Sequence, residues 1–179
     1  MLRWSVIAIL VGLLTAGCAG EPRAEQAPAL SREAEVYVQV LRKYLGTPSD
    51  NSFPGHTFTT VYVLDRALPD AADPSGKFAG GTPIGPDAQR HITAALVPAQ
   101  VVFIADRSAA METSDGCPRV RDGGILITLG PADGDDHEVR VAINGFVACL
   151  GATWLTYVVR NQPGSGWRVT GTTGSMAVA

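Results

Sequence analysis

Hydrophobic positions in residues 31–45 recur at three- and four-residue spacing. Ala34, Tyr37, Val38, Leu41, Tyr44 and Leu45 fall on one face, the period of an amphipathic helix. Ser31 supplies the N-cap, Glu33 and Glu35 suit the positive end, Arg42 and Lys43 suit the last turn, and Gly46 with Pro48 ends it. A second helical pattern runs over residues 86–96. Pro86 occupies its first turn, Ala88, Ile92, Ala95 and Leu96 line one side, and Pro98 stops it. Both stripes are expected to pack on a sheet.

Elsewhere the period shortens. Residues 57–66 and 101–107 are β-branched and aromatic runs that predict strands. Between the first of these and the second helix lie nineteen residues, 67–85, rich in Pro, Gly, Ala and Asp. A connection of that length is usually functional or mobile. From Gly124 onward the chain predicts antiparallel sheet: residues 124–129, 137–143, 152–160, 167–171 and the tail 175–179. In 137–143 Val139, Val141 and Ile143 face one way, with Asn144-Gly145 ending or bulging the strand. In 152–160 both faces carry bulk. The order predicts an α+β fold: two helices packed on a mixed, mainly antiparallel sheet that ends in a four-strand meander.

The N-terminus has a different logic. Arg3 and Trp4 precede about ten apolar residues, then Thr15-Ala16-Gly17-Cys18. This fits a secretory h-region and falls short of the roughly 20 residues a spanning helix needs. The run Leu14-Thr15-Ala16-Gly17-Cys18 resembles the lipobox of bacterial lipoprotein signal peptides, with Thr15 where the family has an aliphatic residue. The resemblance covers residues 1–18. It implies cleavage before Cys18, lipidation of Cys18, and anchorage at the extracytoplasmic face of the cell membrane, since two or more acyl chains hold a protein stably. The alternatives are a plain signal peptide and an uncleaved anchor. Residues 18–30 then read as a flexible tether, and 31–179 as a single domain. The eleven tether residues 19–29 reach at most roughly 36 Å from the bilayer.

Composition sharpens this. The chain is charge-poor, with 17% Asp, Glu, Lys and Arg, and its net charge of −3 becomes −4 once Arg3 leaves with the signal. No basic cluster occurs, which argues against nucleic acid as a partner. Of three cysteines, Cys18 carries lipid if the lipobox resemblance holds, which leaves Cys117 and Cys149 in an exported, oxidising setting. They are expected to form a disulfide closing a loop of about 33 residues, worth about 3.7 kcal/mol on the chain-entropy model. The alternative is two buried thiols.

Candidate chemistry is sparse. Asp65-Arg66 and Asp106-Arg107 each end a predicted strand. If those strands are parallel neighbours joined by the second helix, both pairs share the carboxyl rim, where ligands of open α/β sheets collect. Two carboxylates there suit acid–base work, and two arginines suit an anion. The plainer reading is surface pairing worth about 0–1 kcal/mol. Trp154 and Trp167 lie on adjacent predicted strands, as a stacking platform for a sugar or base or as core. The acidic turn Asp133, Asp135, Asp136 and Glu138 lacks EF-hand spacing and reads as a solvated hairpin. His56, His91 and His137 are scattered, and no phosphate loop or nucleophile elbow occurs. No metal or cofactor is expected.

Arg outnumbers Lys twelve to two, the loops are rich in Ala and Gly, and Trp167-Arg168-Val169 forms a terminal strand. In these features the body resembles secreted and lipoprotein domains of high-GC Gram-positive bacteria. The leading expectation is a non-enzymatic, membrane-anchored binding or interaction module for an envelope protein or small ligand. The alternative is an envelope hydrolase using Asp65 and Asp106.

Overall fold

The computed structural model describes residues 31–114 and 116–179. The signal peptide, tether and Cys18 readings lie outside them. No helix among the described residues is long and apolar enough to cross a membrane.

Helix α1 (Arg32–Gly46) begins as its residues dictate: the Ser31 hydroxyl accepts the Ala34 N–H at 3.2 Å. Its buried face is wider than the predicted stripe, because Val36 and Val40 are also fully enclosed. The helix lies against α3, β10 and β11 at once, so three sides are covered. A single turn, α2 (Pro48–Asn51), follows, and Asn51 closes the end of α1 by donating to the Tyr44 carbonyl at 2.9 Å.

The chain then forms β1 (Thr60–Leu64), the short pair β2 (Arg66–Ala67) and β3 (Thr82–Pro83), helix α3 (Pro86–Ala95) and β4 (Gln100–Ile104). After a 3-10 turn at Arg107–Ala110 come β5 (Met111–Ser114), β6 (Cys117–Val120), β7 (Ile125–Leu129) and β8 (Asp133–Gly134). Three long strands finish it: β9 (Glu138–Ala148), β10 (Gly151–Gln162) and β11 (Gly166–Val178). The fold is therefore three helices and a large curled mixed sheet, with strands dominating.

Across the sheet the order is β11-β10-β9-β7-β1-β4. β1 runs parallel to β4 and β7, with Thr60 opposite Gln100 and Val61 opposite Ile125. The pairs β7–β9, β9–β10 and β10–β11 are antiparallel. Irregular registers near Trp154 and Val158 bend the outer strands, as bulges do. Val61, Val63, Ile125, Ile127, Val139, Val141, Ile143, Leu155 and Tyr157 pack with α1 and α3 in the main core.

Asn144-Gly145 neither ends nor bulges its strand; β9 continues through it to Ala148. The glycine answers a packing need. A Cβ at position 145 would overlap the Tyr44 phenol, whose hydroxyl shares a hydrogen bond with Thr153 in the facing strand.

The other face of the sheet has a smaller cluster of Tyr62, Ala110, Val120 and Leu126, flanked by Val102, Ile104, Met111 and Phe146. Part of its cover is the β5–β6 hairpin, within residues 108–123, a stretch whose sequence reads as a long Gly/Pro loop. A disulfide joins Cys117 to Cys149 with Cα atoms 5.7 Å apart. It fastens the hairpin to the β9–β10 turn, next to the single bridge Arg119–Ala148. So short a hairpin buries too little to stand alone, and the covalent tie compensates.

Candidate site at the carboxyl rim of the parallel strands

Parallel pairing of β1 and β4 places Asp65-Arg66 and Asp106-Arg107 at one rim, with α3 as the crossover. The rim encloses a cavity of about 310 Å³ lined by Leu64, Arg66, Lys77, Phe78, Asp106 and Arg107, among others. Asp65 does not line it. Its carboxylate accepts from Arg66 Nε at 3.0 Å, and its N–H donates to the Ile104 carbonyl at 2.8 Å, locking the two strand ends together.

Asp106 ends β4 as a small cap. Its carboxylate accepts the Ser108 N–H at 2.7 Å, which holds its pKa below the ordinary carboxylate range, with the Arg66 charge adding to the effect. Both carboxylates are thus engaged as hydrogen-bond acceptors within the protein.

Arg107 turns inward from the same rim. Nη1 donates to Thr128 Oγ1 at 3.1 Å and to Asn144 Oδ1 at 3.4 Å. Its guanidinium carbon sits 4.3 Å from the Phe78 ring centre and 5.9 Å from that of Phe146, within cation–π range. Burial pulls its pKa down from the usual arginine range. Asn144 in turn is fixed by donating to the Thr153 carbonyl at 3.1 Å. The arginine is therefore held between two strands and a loop while forming part of the cavity wall.

That loop is the nineteen-residue connection. Asp70 organises it: one carboxylate oxygen accepts the N–H groups of Lys77 (2.8 Å) and Phe78 (3.2 Å). Phe78 consequently adopts a left-handed backbone with φ 51°, a strained position for a bulky residue, and Phe78 lies beneath the Arg107 guanidinium. The other Asp70 oxygen is buried without a hydrogen-bond partner among the described residues. Gly81 must remain glycine, since φ is 92° and a Cβ would strike the Ala67 carbonyl.

No family model matches this chain, and no curated protein or solved structure does either.

Reading the sequence alone locates Arg66, Asp106 and Arg107 but misses Lys77, Phe78, Thr128 and Asn144. The one usable signal for Lys77 and Phe78 is the length of the connection that bears them. Thr128 and Asn144 are buried polar residues in strands otherwise apolar on that stretch, a pattern that needs partners. The two tryptophans do not meet as one platform. Trp167 is 6% exposed within the helix-side core, whereas Trp154, opposite Asn144, alternates with Leu155 to the other face. Its Nε1 is buried without a partner among the described residues.

The acidic turn behaves as a solvated hairpin: Asp135 accepts the N–H groups of His137 and Glu138 at 2.8 and 2.9 Å, and these bonds depress its pKa. Among the described residues no group of three His, Cys, Asp or Glu side chains could hold a metal ion. A second hollow of about 470 Å³ lies at the opposite rim, walled by Leu45, Phe58, Leu96 and Val97. Its Arg42 is spent on the Ala95 carbonyl at 2.8 Å.

Proposed function

We propose that this chain is a lipid-anchored extracytoplasmic binding module, of the kind frequent in high-GC Gram-positive bacteria, that captures a small ligand bearing a carboxylate or phosphate. In this reading the anchor is the lipidated Cys18, residues 18–30 are the tether, and residues 31–179 form one α+β domain with two helices on the sheet. The supporting observation is that Arg66 and Arg107, each held by protein partners, open with Lys77 onto one cavity of about 310 Å³. Guanidinium groups suit oxyanions because their paired N–H donors match two oxygens. Small-ligand pockets commonly have about 300–1,000 Å³, so the ligand is small.

The hydrolase alternative rests on Asp65 and Asp106 sharing a rim. It needs one of them protonated near neutral pH. The Asp106 carboxylate is biased the other way, toward the ionised form, and Asp65 is paired with Arg66 and does not line the cavity. Binding is the better-supported reading.

Calorimetric titration of the detergent-solubilised protein with a panel of small carboxylates and phosphates tests it. At least one should bind, and Arg66→Ala and Arg107→Ala should each weaken that ligand by ten-fold or more. A panel that never binds the wild type overturns the assignment. Mass spectrometry of the native N-terminus tests the anchor, and an unmodified Cys18 removes it.

A further inference from the structure

The cavity at the carboxyl rim is not walled by cations alone. Asp106 stands in its lining together with Arg66, Lys77 and Arg107. Asp106 keeps an extended backbone, φ −135° and ψ 136°, on which successive side chains diverge. Arg107 therefore reaches across the sheet to Thr128 and Asn144, while Asp106 stays exposed at the rim with one carboxylate oxygen on the Ser108 N–H. Arg66 is near enough for its charge to act on Asp106, yet it pairs with Asp65, at 3.0 Å. Acid and base thus border one space without being joined to each other. The other side chains of the wall, Leu64, Phe78, Ala79 and Ala105, bring no further charge.

We propose that the ligand of this cavity is an α-amino acid with an uncharged side chain, its carboxylate on the arginines and its ammonium on Asp106. The inference rests on the small-oxyanion reading above and narrows it. A plain carboxylate satisfies the cations but brings like charge toward Asp106, and a phosphate brings more of it. Juxtaposed like charges are one way a site refuses a wrong ligand. A plain amine has the reverse fault, since it meets Arg66, Lys77 and Arg107. A molecule carrying both charges on one carbon answers both demands, through charge-assisted hydrogen bonds at each end. It does so in one orientation only, which turns its side chain toward the uncharged part of the wall. Size agrees. A cavity of about 310 Å³ has the volume of about ten water molecules at roughly 30 Å³ each, enough for one amino acid and too little for a peptide of several residues.

The test is calorimetric titration of the detergent-solubilised full chain with matched sets. Glycine is compared with acetate and methylamine, alanine with propanoate and ethylamine, leucine with 4-methylpentanoate and 3-methylbutylamine, and phenylalanine with 3-phenylpropanoate and 2-phenylethylamine. At least one amino acid should bind about ten-fold or more tightly than both of its partners, the worth of one charge-assisted hydrogen bond. Asp106→Asn removes the charge while keeping an acceptor for the Ser108 N–H, since Asn caps as well as Asp. It should bring that amino acid to within about three-fold of its des-amino partner, whose own affinity should hold or rise. A des-amino acid that matches its amino acid on the wild type overturns the proposal and leaves the oxyanion reading standing, as does binding of inorganic phosphate alone. An amino-acid advantage that survives Asp106→Asn in a folded protein also overturns it. Should that variant not fold, the wild-type comparison decides. Absence of binding by every amino acid, carboxylate and phosphate overturns both readings.

Discussion

The guanidinium of Arg107 stands 4.3 Å above the ring of Phe78, joining the end of β4 to the long connection that precedes α3. The contact is sandwiched: the same guanidinium donates to Thr128 and Asn144 in the sheet. Arg107→Ala should therefore destabilise the domain by about 1–3 kcal/mol, leaving buried acceptors unpaired and an aromatic ring unsupported. Hydrogen exchange should speed up first in residues 77–81. Arg107→Lys should recover little, since an ammonium cannot stack and fork at once. Unchanged exchange in the alanine variant would show that the loop is held by Asp70 alone.

The Cys117–Cys149 bridge encloses residues separated by 32 positions. Replacing both cysteines with alanine should lower unfolding free energy by about 3–4 kcal/mol in urea titration. The β5–β6 hairpin should become protease-sensitive before the rest, because among the described residues one bridge to β9 is all that otherwise pairs it to the sheet. Equal susceptibility throughout the chain would contradict this placement of the stabilisation.

Gly145→Ala should cost about 1–3 kcal/mol by overpacking, since the new methyl meets the Tyr44 ring. Combined with Tyr44→Leu it should cost less than the sum of the two single changes, as residues competing for one space are non-additive. A denaturation-based double-mutant cycle measures this, and strict additivity would mean that the helix shifts to make room.

Alkaline stability follows from three buried phenols. Desolvation raises Tyr44 to about 12 and pushes Tyr37 and Tyr157 upward, the latter aided by its hydrogen bond to Asp50. A raised folded-state pKa favours the neutral folded form. The stabilisation is complete below the unfolded value near 10 and is lost as pH rises toward the folded values. Unfolding midpoints should be flat up to about pH 9.5 and then fall steeply. Tyr157→Phe should make the fall shallower. A profile that stays flat to pH 12 would mean these phenols ionise without unfolding.

Some of this was legible from residue order. Helix α1 could be read because Ser31, the acidic first turn and the Tyr37–Tyr44 stripe all act within the helix itself. The parallel relation of β1 to β4 was readable as a consequence of the intervening helix, since right-handed crossovers leave few alternatives. The β5–β6 hairpin was not legible. Its residues lack alternation, and its stability comes from a disulfide and from Tyr62 and Leu126 across the sheet. Phe78 and Lys77 escaped notice for a related reason. Their position depends on Asp70, seven or eight residues earlier, acting through backbone bonds that no periodicity records.

By itself the sequence determined what short-range physics can decide: helix caps, strand alternation and the pairing of Cys117 with Cys149. Only the tertiary structure decided which polar groups share a cavity, why residue 145 is glycine, that Trp154 and Trp167 face opposite ways, and which edge of the sheet is left unpaired. Those outcomes depend on register and on which layer covers which face. A one-residue shift in register reverses every side chain of a strand, and that choice is made by packing across distant parts of the chain.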